Sequence, residues 1–258
     1  MNQEVRRIIL LAIRLLSTVR LFPNRLMLVH SDPIKLIEYD EIVRLAELNS
    51  NDTVLDIGCG SGIQDLLLAQ VCGHVMGIDF SNRAIDAAKD FAHASKLSSK
   101  VSFVEGDVLD ANFQKSGFSR ILSFCVLEHI PEWREVLKKA HEWLAPGGYL
   151  VISVDSLAPI KDEEIIKRHK EDSSVVTYFD NQTLASGLQD AGFSCLELHP
   201  ILRSGYAKDI FVQSITRGSR GGFNVLRLLG IYIRLREAER EAGNPEEGMF
   251  LVAKAQPK

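Results

Sequence analysis

Apolar residues near the start of the chain recur three or four positions apart, from Val5 to Val19. This spacing predicts an amphipathic helix that ends near Pro23. The opposite face of that helix carries the basic residues Arg6, Arg7, Arg14 and Arg20. A second helix is predicted from Pro33 to Leu48, because proline is favoured at the first helical position and Ser31 or Asp32 can cap the helix.

Beyond residue 50, short apolar runs that are typical of strands alternate with segments of helical periodicity. The predicted strands are Thr53–Ile57, His74–Ile78, Val101–Glu105, Arg120–Phe124, Tyr149–Val154, Ser194–Leu198 and Met249–Ala253. The predicted helices are Ile63–Cys72, Trp133–Leu144, Asp162–Glu171 and Asn181–Ala191. One more helix is predicted to be capped by Ser81 and to run to about Ser95. This alternation predicts an α/β fold with an open, doubly wound, mostly parallel sheet.

The domain organisation follows from the same pattern. Residues 1–50 are expected to form a helical extension or cap, and residues 51–258 a single α/β domain. Within that domain, residues 200–245 are rich in glycine and arginine and are expected to form an inserted cap that sets specificity. Its apolar stretch Phe223–Leu235 carries the basic residues Arg227 and Arg234.

Composition narrows the class of protein. The chain has 258 residues, of which 46% are hydrophobic and 25% charged, as in soluble globular proteins. Its net charge of -4 argues against non-specific nucleic-acid binding. The four cysteines are scattered, which favours reduced thiols and a cytoplasmic location. We find no apolar stretch long enough to span a membrane and no spacing of ligands that demands a metal.

The strongest local signal is the run Val54–Gly62, in which a buried strand leads into a turn with glycine at positions 58, 60 and 62. Glycine lets the backbone approach a ligand closely, next to the start of a helix. A nicotinamide-dinucleotide fingerprint would need glycine or alanine at position 63, where Ile63 stands. The lysine of a phosphate-binding loop is also absent.

Acidic residues follow the next two strands. Asp79 closes the second strand, where a carboxylate can accept hydrogen bonds from both ribose hydroxyls. Asp107, just past the third strand, can accept from an exocyclic adenine amine. The sequence therefore predicts a nucleoside ligand, although Asp79 as a helix cap and Asp107 as a turn residue remain alternatives.

Five segments in order resemble the successive motifs of class I S-adenosylmethionine-dependent methyltransferases, in particular the small-molecule branch that includes ubiquinone and menaquinone biosynthetic enzymes. They are Asp56-x-Gly58-x-Gly60-x-Gly62, Asp79, Gly106-Asp107, Cys125–Ile130 and Leu144–Gly148. The resemblance covers about Asp52 to Val154 strongly. It implies a Rossmann-like sheet of seven strands in which the last strand, Met249–Ala253, is antiparallel.

The resemblance also implies roles for residues. Asp56 and the glycine turn would hold the methionine portion of S-adenosylmethionine, Asp79 the ribose, and Phe80 and Asp107 the adenine. The cofactor-binding residues expected in this way are Asp56, Gly58, Cys59, Gly60, Gly62, Asp79, Phe80, Gly106, Asp107 and Val108. Cys59 is expected to fill space rather than to act as a nucleophile, because the sequence places no base beside it.

Two neighbouring residues are the predicted catalytic groups. His129 follows the fourth strand, where the family's substrate meets the methyl group, and an imidazole suits removal of a hydroxyl proton. Glu128 beside it would line the pocket. A packing role for either residue remains open, and His169 and Tyr178 are secondary candidates for the substrate wall.

These features predict methyl transfer to a small-molecule acceptor, lipid-like or prenylated if the cationic N-terminal helix makes peripheral membrane contact. That helix could instead pack as a cap or in a homodimer. A catalytically inactive cofactor-binding partner subunit and a protein methyltransferase are the alternative functions. The nature of the acceptor atom, oxygen, nitrogen or carbon, is left open.

Overall fold

The computed structural model of the protein describes residues 33–217, 225–242 and 246–258. The predicted N-terminal helix, with its four arginines, lies outside the described residues. The two candidate cap residues before Pro33 also lie outside them, as do parts of the predicted insertion.

Eight helices and seven strands follow one another in the described part of the chain. The helices are α1 (Pro33–Ala46), α2 (Ile63–Leu68), α3 (Asn82–Ala94), α4 (Trp133–Trp143), α5 (Glu163–Ser173), α6 (Asn181–Asp190), α7 (Gly205–Arg217) and α8 (Val225–Glu241). The strands are β1 (Thr53–Ile57), β2 (His74–Asp79), β3 (Val101–Glu105), β4 (Phe118–Phe124), β5 (Leu144–Asp155), β6 (Phe193–Ile201) and β7 (Phe250–Pro257). A single 3₁₀ turn, Leu127–His129, follows β4.

The seven strands form one sheet in the order β3-β2-β1-β4-β5-β7-β6. Strands β1 to β5 are mutually parallel, whereas β7 runs antiparallel to both β5 and β6. The predicted fold class, with its antiparallel last strand, is therefore confirmed. The strand order reverses between β1 and β4, and ligands of such sheets bind beyond the carboxyl ends of the strands at this point.

Apolar side chains cover both faces of the sheet. Because successive residues of a strand point to opposite faces, Val54 joins one buried cluster while Leu55 and Ile57 join the other. All three are at most 2% exposed, and each such side chain contributes about 1.5–3 kcal/mol by burial. This rigid centre fixes the position of the residues that follow β1.

Helix α1 crosses the sheet near β5 and β7 and carries helix α8 on its outer side. The hydroxyl of Tyr232 on α8 donates a hydrogen bond of 2.5 Å to Asp40 on α1. Helices α7 and α8 thus occupy much of residues 200–245. Helix α7 was not predicted from the sequence. None of the described helices is both long and apolar enough to cross a membrane.

Several element boundaries differ from the prediction, and two of them have a clear local reason. Helix α2 ends at Leu68 instead of Cys72, because the N–H groups of Gln70 and Val71 bond three residues back and tighten the chain into a turn. Strand β5 begins at Leu144 instead of Tyr149, since Leu144 already pairs with Phe118 across a bulge.

Candidate functional site

The glycine turn leaves β1 at the carboxyl edge of the sheet. Gly58, Gly60 and Gly62 adopt φ values of 75°, 55° and 69°, in the left-handed region that favours glycine. The N–H groups of Gly58 and Cys59 donate to the carbonyl oxygen of Ile78 at 2.8 and 3.1 Å, which holds the turn against β2.

The three glycines have different surroundings. A Cβ atom at Gly58 would lie 2.3 Å from Val126 Cγ2, and one at Gly62 would lie 2.7 Å from the ring of Phe103. A Cβ at Gly60 would meet no atom within 4 Å. Packing therefore requires glycine at the two ends of the turn, whereas the middle of the turn faces open space that a ligand can enter.

Asp79 joins the glycine turn to β2. Its Oδ2 accepts a hydrogen bond from Gly60 N and its Oδ1 accepts one from Ser81 N, both at 2.9 Å. The cap of α3 is Ser81, whose Oγ accepts from Ala84 N at 3.3 Å, so the prediction that Ser81 caps this helix is confirmed. Each oxygen of Asp79 keeps a second lone pair for a ligand hydroxyl.

The side chain of Phe80 is 81% exposed, an unusual state for so large an apolar group. Asp107 is exposed as well, and its Oδ1 accepts from Leu109 N at 2.8 Å in a local turn. Gly106 has open space where a Cβ would be, and Val108 is buried in the core below. An aromatic face and a carboxylate thus lie at the carboxyl edge beside the glycine turn.

Below the turn, two buried carboxyl groups lie close together. Asp56 is 1% exposed and Asp65, on α2, is fully buried. One oxygen of Asp56 and both oxygens of Asp65 have no hydrogen-bond partner among the described residues. Burial and the nearby carboxylates of Asp65 and Asp79 raise the pKa of Asp56 well above its usual value, and burial raises the pKa of Asp65 to about 7.

Sequence reasoning missed Asp65. It stands in the short apolar helix that follows the turn, where an acidic residue among leucines is the signal that could have revealed it. A buried carboxyl group there implies that the folded protein holds a proton near neutral pH.

Replacing Asp65 with asparagine is expected to stabilise the protein at pH 8. The folded state holds the Asp65 proton more tightly than the unfolded chain, so stability falls as the pH rises from about 4 to about 7. Removing the carboxyl group should raise the free energy of unfolding by on the order of 2 kcal/mol at pH 8 and by little at pH 5. Urea unfolding at both pH values measures this, with the exposed residue Asp86, changed to asparagine, as control. Equal or lower stability of the Asp65 variant at pH 8 would contradict the expectation.

The 3₁₀ turn after β4 carries the predicted catalytic residues. It follows Val126, the residue that contacts Gly58, so this turn and the glycine turn are neighbours. His129 is exposed, and its Nδ1 lies 3.4 Å from the carbonyl oxygen of Ser174. Although part of the side chain is exposed, the surrounding protein partly desolvates the ring and lowers the pKa of His129 below its usual value, so the imidazole is neutral at pH 7. When Nδ1 donates to Ser174, Nε2 is left as a proton acceptor.

Glu128 does not line the surface beside His129. It is fully buried, and burial together with the charge of Asp155 raises its pKa well above its usual value. Its carbonyl oxygen accepts from the N–H groups of Val176 and Thr177 at 2.8 and 3.1 Å, which brings the segment after α5 against the turn.

His169 and Tyr178, the two secondary candidates for the substrate wall, lie next to each other. His169 Nδ1 is 2.9 Å from the hydroxyl of Tyr178, and His169 Nε2 is 3.7 Å from Asp155 Oδ2. His169 is only 8% exposed, although it lies on the charged helix α5. The two side chains therefore belong to the interior beneath the 3₁₀ turn.

A family model described as a methyltransferase domain matches residues 48–205. Together with the fold and the order of the motifs, this match shows that the chain belongs to the class I S-adenosylmethionine-dependent methyltransferases. S-adenosylmethionine is the cofactor of this class, and the predicted membership of the class is confirmed.

Curated relatives are similar over part of the chain. Arsenite methyltransferase of Rattus norvegicus is 32% identical over 131 residues, covering 46% of this chain and 35% of its own length. Phosphoethanolamine N-methyltransferase 1 of Arabidopsis thaliana is 31% identical over 159 residues, covering 60% of this chain and 31% of its own. The chain thus matches about a third of the length of each of these two relatives.

Solved structures share the fold. Geranyl diphosphate C-methyltransferase from Streptomyces coelicolor A3(2), in complex with Mg2+, geranyl diphosphate and S-adenosyl-L-homocysteine, superposes with a TM-score of 0.65 at 13% identity, over 86% of this chain and 77% of that one. Haemonchus contortus phosphoethanolamine N-methyltransferase 2 in complex with S-adenosyl-L-methionine has a TM-score of 0.64 at 16% identity, over 86% of this chain and 52% of that one.

Replacing Asp79 with alanine is expected to weaken S-adenosylmethionine binding about 10- to 100-fold, because hydrogen bonds to a charged group contribute about 1.5–3 kcal/mol. The change also removes the acceptor of Gly60 N. Isothermal titration calorimetry measures the affinity, and the matched control is alanine at Asp190, an exposed carboxylate that ends α6. Unchanged affinity in a folded Asp79 variant would remove this residue from the site.

Proposed function

We propose that the protein transfers the methyl group of S-adenosylmethionine to a small-molecule acceptor, and that His129 takes the proton which the acceptor loses. The observation that carries this proposal is the position of His129. It lies on the 3₁₀ turn next to the glycine turn, with Nδ1 facing the carbonyl oxygen of Ser174, and in the tautomer that donates from Nδ1 the proton acceptor is Nε2.

The proposed cofactor site combines four features at one edge of the sheet. The open face of Gly60 admits ligand atoms, the exposed ring of Phe80 offers a face to adenine, and Asp79 keeps lone pairs for the ribose. One carboxylate oxygen of Asp56 has no hydrogen-bond partner among the described residues. It lies beneath the turn, on the side assigned to the methionine portion of the cofactor. Burial raises the pKa of the Cys59 thiol far above its usual value, which supports its role as a space-filling group.

The reaction is an in-line displacement at the methyl carbon. A nucleophilic oxygen, nitrogen or carbon atom of the acceptor forms a bond to that carbon, the carbon–sulfur bond breaks, and S-adenosylhomocysteine leaves with the electron pair. Orientation of the two reactants contributes up to about 7–11 kcal/mol in favourable systems. The acceptor's proton passes to His129 Nε2, a step that accelerates such reactions about 10²- to 10⁴-fold.

For the acceptor we propose a lipid-like or prenylated small molecule. Support comes from apolar acceptors among the similar proteins, which include a sterol 24-C-methyltransferase of Kluyveromyces lactis, 29% identical over 108 residues, and the geranyl diphosphate enzyme. The two helices within residues 200–245 and the N-terminal extension are the proposed cap that sets specificity.

Transfer of an isotopically labelled methyl group tests the activity. The purified protein is incubated with labelled cofactor and an extract of the source cells, which is then separated into apolar, aqueous and protein fractions. Label in the apolar fraction, absent with boiled enzyme, is the expected result. Label in the protein fraction would replace the proposal by a protein methyltransferase. No label in any fraction, with cofactor binding intact, would favour an inactive partner subunit.

Contact with a membrane surface is a separate prediction. A cationic amphipathic helix at residues 1–28 would bring the protein to anionic lipid, where each basic residue contributes about 1 kcal/mol. We expect salt-sensitive flotation with anionic liposomes that is lost when residues 1–28 are deleted. Protein that stays at the bottom of the gradient at low salt would contradict this and favour a cap or a homodimer, which sedimentation distinguishes.

A further inference from the structure

Three possible metal ligands converge beneath the 3₁₀ turn. Cys125 follows β4, Glu128 lies on the turn and Asp155 ends β5. The thiol sulfur and one oxygen from each carboxylate all lie within 4.8 Å of one another. Two ligand atoms that bind one ion at about 2.0–2.3 Å lie within about 4.6 Å of each other, so small side-chain adjustments would bring these three atoms around a single ion.

The group is enclosed, and Glu128 has no partner within it. Glu128 is fully buried and Asp155 is 5% exposed. Both carboxylate oxygens of Glu128 lack a hydrogen-bond partner in the part of the chain that the structure describes. An isolated buried carboxylate is costly, so buried charges are normally paired or coordinate a metal.

Lys35, a cation close enough to act on Glu128 and Asp155, is already engaged elsewhere. Lys35 Nζ forms an ion pair of 2.8 Å with Glu38 Oε2. The other oxygen of Glu38 accepts a hydrogen bond from the hydroxyl of Ser153. Burial raises the pKa of Glu128 and of Asp155, and the charge of Lys35 offsets this only in part. The ion pair of Lys35 is with Glu38, and the oxygens of Glu128 have no direct partner among the described residues.

His169 supplies a second observation that points to a cation. The hydroxyl of Tyr178 donates to the carbonyl oxygen of Ile166 at 3.3 Å and can accept from His169 Nδ1 at 2.9 Å. In this arrangement Nδ1 carries the proton, and the lone pair of Nε2 faces Asp155 Oδ2 at 3.7 Å. Two acceptors that face each other across this distance favour a proton or a metal cation between them.

We propose that Cys125, Glu128 and Asp155 bind a divalent transition-metal ion, with His169 beside the site next to Asp155. A thiolate and two carboxylates suit Zn2+ or a similar ion better than Mg2+, which prefers oxygen ligands alone. The ion neutralises Glu128 and connects the ends of β4 and β5 below His129. Its binding does not depend on which acceptor the enzyme methylates, so this proposal stands apart from the proposed function.

Cobalt binding tests the site directly. The full-length protein is freed of metal with EDTA, kept reduced and titrated with Co2+, which gives a near-ultraviolet charge-transfer band when bound by thiolate. We expect one equivalent of Co2+ to produce this band. Cys125→Ser should abolish the band, whereas Cys195→Ser, which changes an exposed thiol on β6, should leave it unchanged.

Zinc affinity and thermal stability give independent readouts. Competition with a chromophoric chelator should show at least about tenfold weaker Zn2+ binding in Glu128→Gln and Asp155→Asn. Zinc should raise the unfolding temperature of the parent protein but not of Glu128→Gln, a variant that keeps the shape of the buried side chain. A band that survives Cys125→Ser, or a parent protein that zinc does not stabilise, would overturn the proposal. Label transfer by the metal-free protein distinguishes failure of this site from failure of the methyltransferase function.

Discussion

Replacing Gly60 with valine is expected to lower the affinity for S-adenosylmethionine by more than about 100-fold, which abolishes measurable binding, while the sheet remains folded. Gly60 has a φ of 55°, and a Cβ placed there would meet no protein atom within 4 Å. The branched side chain would therefore occupy the space into which the ligand fits. The left-handed conformation of a non-glycine residue costs about 1–2 kcal/mol, which lowers stability without unfolding the protein.

Calorimetric titration with the cofactor and thermal unfolding separate the two effects. The matched control is Gly147→Val, because Gly147 also has a positive φ, 77°, and open space at its Cβ. It lies near the start of β5, at the opposite edge of the parallel strands, so this variant should lose similar stability and keep cofactor affinity. Normal binding by the Gly60 variant would refute the assignment of the turn to the cofactor.

Replacing His129 with asparagine is expected to lower kcat about 10²- to 10⁴-fold, with the affinity for S-adenosylmethionine nearly intact. Asparagine can still donate a hydrogen bond to the carbonyl oxygen of Ser174 but has no counterpart of Nε2. The change therefore removes the proposed proton acceptor and preserves the local contact. Single-turnover transfer of labelled methyl groups and calorimetry give the two quantities.

The control for this variant is His93→Asn, which alters an exposed histidine in the last turn of α3 and should leave both quantities unchanged. A parallel loss of turnover and of cofactor affinity in His129→Asn would assign His129 a structural role. Full activity of the same variant would exclude His129 as the base.

Sequence patterns identified much of the architecture and the candidate cofactor site. The strand His74–Ile78 was predicted to within one residue, and Ser81 caps α3 as expected, because both depend on neighbouring residues in the chain. The spacing of the glycines from 58 to 62 indicated a turn, and all three glycines adopt left-handed φ values there. Helix α7 was missed, since its apolar positions face α8 and α5 as well as the core and do not form one clear stripe.

What the sequence by itself determined is therefore the alternation of elements, the class of sheet and the glycine turn at the end of β1. Only the tertiary structure decided which polar groups lack partners. Asp65 reaches Asp56 from the following helix, and Glu128 is turned inward toward Asp155, a residue 27 positions later at the end of another strand. The physical reason is that the parallel sheet brings distant strand ends to one edge and removes water there, and neither the proximity nor the desolvation can be read from local spacing.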